Sequence, residues 1–246
     1  MRAAPLHHPT MNRRFVLIAA PLFLAGLAAA PLAGAKPVKH RAPPPAAATP
    51  LPDVVRVAIN TELGTMTVDL DHAHAPVTVE NFVRYVDLRR FDGMVFYRAM
   101  HLAWGSQPNG LIQAGLRGDP RKVLKPIAHE PTSQTGIHHT PGAISMARFA
   151  PGTATADFSI MLSDMTGLDA DPAATNPETR AGYAAFGHVV SGMDVARKIW
   201  DAPLSLTAGE GALKGQMITP PVKVLTVRRV PVPVVAPIPA AAAPSP

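Results

Sequence analysis

Between residues 53 and 230 the chain breaks into many short apolar segments that alternate every second residue, bounded by turn-forming residues, with only two stretches of helical periodicity. Successive side chains of a strand point to opposite faces, so a period of two marks strands with one buried face. "DVVRVAIN" and "TMTVDL" flank "TELG" and read as a hairpin, and "MVFYRA", "GLIQAG", "GAISMA", "DFSIML", "AAFGHVV" and "PVKVLTVRR" supply further strands. The first helical stretch opens at Pro76, a residue suited to a first helical position. It puts Val79, Phe82, Val83 and Val86 on one face and is expected to stop near Gly93, and the second is "MDVARKIW". Many short strands with a helix toward each end of the series predict an all-β fold, a closed barrel whose openings the helices cap.

The two ends of the chain read differently. Arg13 and Arg14 precede the apolar run "FVLIAAPLFLAGLAAAPLAGA", which closes on the small residues Ala33, Gly34 and Ala35, the order of a secretory signal peptide over residues 1–35. Pro21 and Pro31 interrupt the run and no stop-transfer pattern follows, so the chain is expected to be exported, to the periplasm, without a membrane anchor once the signal is cleaved. Residues 36–52 form a Pro/Ala-rich linker, residues 53–230 one domain, and residues 231–246 a Pro/Ala-rich tail expected to be disordered.

Charge and cysteine content exclude whole classes of function. Six of the 23 lysines and arginines precede Asp53 and none of the 17 acidic residues does, so in the remainder 17 cations face 17 anions. A neutral domain has no basic stripe to neutralise phosphates, and no nucleic-acid partner is expected. The absence of cysteine rules out disulfides, thiolate metal sites and a thiol nucleophile. His72 with His74, and His138 with His139, lack a third ligand at a recognised spacing, so no metal is expected. Ser145 lies outside any G-x-S-x-G and reads as core, and "GEGALKG" has the wrong spacing for a phosphate loop.

Arg98 remains, a five-donor cation in an apolar strand behind Phe96 and Tyr97. By itself an arginine on a strand is a solvated edge cation. Its context changes that reading: "FYRAM", "LIQAG", "HTPGAISMAR", "ADFSIML" and "GYAAFGHVVSGMDVARKI" follow one another in the order found in cyclophilin-type peptidyl-prolyl cis-trans isomerases. From Val54 to Arg229 the chain resembles that family, and its last two segments closely resemble exported bacterial members. The resemblance implies a closed eight-stranded antiparallel barrel with two capping helices, no cofactor, and proline-containing unfolded or flexible polypeptides as partners. The chain is expected to act as a monomer.

The resemblance also gives Arg98 a task. The bond before a proline has a rotational barrier of ~18–20 kcal/mol because the nitrogen lone pair is delocalised into the carbonyl. Twisting returns the lone pair to nitrogen, and a guanidinium aimed there can donate to it only in the twisted state, favouring the transition state over the ground state. Arg98 matches the family's catalytic arginine and Gln113 the glutamine that steadies it. Phe96, Leu111, Met146, Ala147, Arg148, Asp157, Ser159, Leu168 and Tyr183 fall at or beside substrate-binding positions. An extended peptide can hydrogen-bond along the segment from Met146 to Arg148 through its backbone.

Several positions depart from the family pattern. The connection "AMHLAWGSQPNGLI" is long, one pocket phenylalanine falls near Gly110, a second is replaced by Ser159, and Phe158 alternates to the opposite face. Asp157 stands for a glutamine, Gly167 for an aromatic residue and Tyr183 for a histidine. Trp104, inside the insertion, has two readings: a replacement pocket wall, or an anchor of the surface loop that carries it. The reading that follows is an exported isomerase of X-Pro bonds with a partly rebuilt ring pocket. Its alternative is a non-catalytic peptide-binding module or holdase using the same groove.

Overall fold

The computed structural model describes residues 50–233. The expected signal peptide, almost all of the linker and most of the tail lie outside the described residues. Nine strands form one sheet: β1 (Val54–Thr61), β2 (Gly64–Asp71), β3 (Val95–His101), β4 (Gly110–Gly115), β5 (Ala143–Met146), β6 (Phe158–Met161), β7 (Ala184–Ser191), β8 (Leu204–Ser205) and β9 (Met217–Arg229). The spatial order is β1-β2-β7-β5-β6-β4-β3-β9-β8, and β1 also pairs with β9. All pairings are antiparallel, so eight strands close into a barrel and β8 is a short addition to the edge of β9.

The alternation expected along the strands is present. Val55, Val57 and Ile59 of β1, and Met66, Val68 and Leu70 of β2, point inward at 4% exposure or less. Helix α1 (Pro76–Asp87) starts at the proline and buries Val79, Phe82, Val83 and Val86. Its first amides are capped from outside the helix by Glu130, whose carboxylate accepts from the Val77 amide (3.1 Å), the Thr78 amide (2.8 Å) and the Thr78 hydroxyl (2.7 Å). A negative group at that end also complements the helix dipole. Phe82 reaches the rings of Phe91, Phe158 and Phe186 at 4.9, 5.3 and 5.5 Å between centroids. The helix therefore plugs the barrel end where β2 runs out.

Helix α4 (Met193–Trp200) turns Val195, Ala196 and Ile199 inward at the other end. There the Trp200 indole N–H donates to the Met100 carbonyl at 3.2 Å. Two further short helices, α2 (Thr132–Thr135) and α3 (Pro177–Ala181), lie in segments expected to be loops. At one turn each they carry no amphipathic period for a sequence reading to detect.

Candidate active site

On the outside of the barrel β5, β6, β4 and β3 run side by side, and their register lines up two rows of side chains. Arg98 pairs with Gln113, Gln113 with Ser159 and Ser159 with Ser145, forming a polar row across four strands. Two residues along, Met100 pairs with Leu111 and Leu111 with Met161. These form an apolar row on which Ala143, Met165 and Leu168 pack. The rows line a cavity of about 190 Å³, bordered also by Met146, Ala147, Arg148, Leu168 and Tyr183. A small apolar ring can sit on one row while its polar neighbour faces the other.

A bulge places Arg98 in this row. The register of β3 shifts between Phe96 and Arg98 against both β4 and β9, leaving Tyr97 as the extra residue. Without it, strict alternation would turn Arg98 inward with Phe96. With it, Tyr97 and Arg98 both reach the outer face, and Ala99 returns to the core at 0% exposure. Bulges re-aim side chains in this way beside functional sites.

The Arg98 guanidinium is tethered on three sides. Nε donates to Gln216 Oε1 at 2.8 Å, Nη1 to Gln113 Oε1 at 2.8 Å, and Nη2 to Met100 Sδ at 3.6 Å. Gln113 Nε2 donates to the Tyr97 hydroxyl at 2.7 Å, which donates to Asp157 Oδ2 at 2.8 Å. Asp157 Oδ1 accepts from the Leu116 and Arg117 amides at 2.7 and 3.0 Å. The chain of bonds runs in one direction and sets which end of the Gln113 amide faces Arg98. A guanidinium has five N–H groups, so two remain for a ligand.

Burial lowers the Arg98 pKa, yet arginine starts so high that it stays charged at neutral pH. Burial raises the Asp157 carboxyl against the pull of its three donors, and burial with Asp157 raises the Tyr97 hydroxyl, which stays protonated as a donor. A second cavity of about 410 Å³ shares Arg98, Gln113, Ala147 and Arg148 with the first and adds Tyr97, Arg117, Thr153 and Asp157. The two cavities meet at Arg98, a layout that admits an extended chain crossing the guanidinium.

Leu111, Gln113, Met146, Ala147, Arg148, Ser159, Leu168 and Tyr183 line the first cavity with Arg98, whereas Asp157 lies in the second. Arg148 acts there as a brace. It donates to Glu178 Oε2 at 2.8 Å and to the Gly182 carbonyl at 2.6 Å, and its guanidinium lies 4.6 Å from the centre of the Tyr183 ring.

One expected contact is corrected, and of the two readings of Trp104 the surface-loop anchor holds. Phe96 is wholly buried in the barrel, its ring 6.2 Å from that of Phe158, and it cannot touch a ligand, because the bulge puts it on the opposite face from Arg98. Trp104 is 67% exposed and lines neither cavity, so it supplies no wall. The insertion is held by its own bonds, from Gln107 Nε2 to the Leu102 carbonyl at 3.0 Å and from Asn109 Nδ2 to the Trp104 carbonyl at 2.5 Å. Gly110 could carry no ring either. Its φ is +148°, and a Cβ there would overlap the Met100 carbonyl oxygen.

Methionines take the wall positions instead. Met100 and Met161, two residues beyond Arg98 and Ser159, were not singled out in the sequence, although alternation alone puts them on the same face. Tyr97 and Gln216 were also missed, and Gln216 lies 118 residues from Arg98 with no sequence signal to connect them. Ser145, read as core, does line the cavity. Its hydroxyl lies 2.8 Å from His139 Nε2, and His139 Nδ1 lies 2.6 Å from Asp169 Oδ1. Burial lowers the His139 pKa, so at neutral pH the ring is uncharged, accepting a hydrogen bond from the Ser145 hydroxyl at Nε2 and donating from Nδ1 to Asp169. The same pair ties the turn that carries Leu168 to the cavity floor. Among the described residues no group of three or more histidine, aspartate or glutamate side chains is placed to hold a metal.

The chain is similar to known proteins. The family model described as cyclophilin type peptidyl-prolyl cis-trans isomerase/CLD matches residues 55–228. A peptidyl-prolyl cis-trans isomerase of Acinetobacter baylyi is 32% identical over 176 residues, covering 70% of this chain and 84% of the relative. Peptidyl-prolyl cis-trans isomerase A of Dickeya dadantii is 34% identical over 147 residues, covering 58% of this chain and 70% of the relative. A solved cyclophilin type peptidyl-prolyl cis-trans isomerase of Cryptosporidium parvum superposes with a TM-score of 0.56 at 16% identity, covering 73% of this chain and 99% of that one, a likeness of fold. With the barrel, the outward arginine and the match across nearly the whole domain, the chain belongs to the cyclophilin-type peptidyl-prolyl cis-trans isomerases.

Proposed function

We propose that this isomerase acts on X-Pro bonds of exported polypeptides and assists their folding in the periplasm, with Arg98 as its catalytic residue and Gln113 as the group that holds it. The observation that carries this reading is a tethered guanidinium with two N–H groups to spare, set beside an apolar slot. The proline ring enters the slot against Met100, Leu111, Met161 and Leu168. The residues before it run along Ala147 and Arg148 toward the second cavity. As the bond twists, Arg98 donates to the proline nitrogen, and Gln113 and Gln216 keep the guanidinium from following the substrate.

A proline-isomerisation assay on wild type, Arg98→Ala and Arg98→Lys tests the reading. Losing one donor aimed at transition-state charge costs ~2.7–4 kcal/mol, so the alanine variant should fall roughly a hundredfold to a thousandfold in kcat/KM. Lysine should rescue little, since a point charge cannot be tethered on three sides as the fork is. An alanine variant as fast as wild type would refute the role of Arg98, and a wild type no faster than the uncatalysed reaction would leave peptide binding without catalysis as the function of the groove. Export is supported by the segment ending in Ala33, Gly34 and Ala35. Amino-terminal sequencing of the secreted protein should find a chain beginning at Lys36, and one that still carried Arg13 and Arg14 would refute cleavage.

A further inference from the structure

The third tether of Arg98 is chemically unlike the other two. Gln113 and Gln216 offer amide oxygens, whereas Met100 offers a thioether sulfur, a weak acceptor that nonetheless lies 3.6 Å from Nη2. We propose that Met100 is a modification site at which oxidation to the sulfoxide, by hydrogen peroxide or a hypohalous acid, reversibly switches the isomerase off. This inference rests on the proposed role of Arg98.

The geometry selects Met100 from the other methionines. Among the described residues Met66, Met94, Met146 and Met161 are at most 3% exposed and shielded from an oxidant in the folded protein. Met100, Met165, Met193 and Met217 are partly open to solvent. Of these four, Met100 alone lines the slot, and its sulfur alone is hydrogen-bonded to Arg98.

With peroxide, a sulfur lone pair forms a bond to one peroxide oxygen, the O–O bond breaks, and water leaves. Sulfur is oxidised and peroxide reduced, with no other partner required. Two consequences follow. The new oxygen is a strong acceptor on a sulfur already within reach of Nη2, so it competes with the substrate nitrogen for the guanidinium. It also puts a polar group into the row of Met100, Leu111 and Met161 that receives the proline ring.

The test exposes the full chain to graded peroxide or hypochlorite. Peptide mass mapping then scores oxygen gain at each methionine, beside kcat/KM for proline isomerisation and the thermal unfolding curve. The expected result is a fall in kcat/KM of at least about tenfold, part of the loss for a removed transition-state donor. It should track oxidation at Met100 and be restored by the two methionine sulfoxide reductases, one for each epimer. Met100→Leu, compared with itself before and after treatment, should keep its own rate. Met100→Gln, a permanent polar group at that position, should be slow without oxidant.

Three outcomes overturn the proposal: full activity with Met100 oxidised, equal proportional loss in Met100→Leu, or oxidation of the remote Met193 while Met100 stays reduced. If Met100→Leu does not fold, the correlation and the reductase rescue in wild type decide alone. Arg98→Ala run in parallel separates the two readings. Wild-type activity in that variant refutes the role of Arg98, whereas an oxidised wild type with unchanged kcat/KM refutes only the switch.

Discussion

Tyr97→Phe removes a single oxygen from the centre of the bond chain that orients Arg98, and its cost can be worked out from the bonds lost. The ring is 8% exposed and the replacement keeps its packing, so the change is confined to the hydroxyl. Two bonds disappear: the one from Gln113 Nε2 (2.7 Å) and the one to Asp157 Oδ2 (2.8 Å). A neutral bond contributes about 0.5–1.5 kcal/mol and one to a charged group about 1.5–3 kcal/mol. Together they come to about 2–4.5 kcal/mol. At roughly 2–4 °C per kcal/mol for a domain of this size, Tm should fall by about 4–18 °C.

The catalytic effect is separate from that loss. Without the hydroxyl the Gln113 amide can turn and present Nε2 instead of Oε1 to Arg98. Losing the net worth of one neutral bond, about 1 kcal/mol of positioning, lowers kcat about fivefold while KM stays nearly constant. Proline-isomerisation kinetics and a thermal melt on the same preparation check both numbers. An unchanged kcat at the lowered Tm would refute the positioning role, and an unchanged Tm would refute the buried bonds themselves.

Other consequences are simpler to test. Trp104→Ala should leave kcat/KM within experimental error of wild type, because the indole is exposed and off both cavities, and a clear loss measured with a proline peptide would return the insertion to the site. Stability should fall as pH drops through about 6.5, because the unfolded chain takes up protons there that the folded chain, with burial lowering His139 and His188, still refuses. Thermal melts across that range should show the slope, and His139→Gln should flatten it. A Tm independent of pH between about 7.5 and 5.5 would contradict the burial of these rings.

The barrel was legible in the sequence because its determinants are local. Alternation along β1 to β7, the proline opening α1 and the periodic face of "MDVARKIW" each depend on residues within a few positions of one another, and local sterics and burial decide them. Arg98 and Gln113 were legible because their motifs resemble those of a known family. The face on which Arg98 stands was decided only in three dimensions, because one extra residue between Phe96 and Arg98 breaks the alternation and leaves Phe96, which the resemblance had put at the ligand, on the inner face. Gln216, 118 residues away, and Glu130, capping a helix 52 residues earlier, act through contacts that chain closure creates. The lining of the first cavity was decided the same way. Gly110 and Ser159 suggested a pocket missing its walls, but the register of β3, β4 and β6 lines up Met100, Leu111 and Met161, and strand pairing is a property of the closed sheet that no single segment carries.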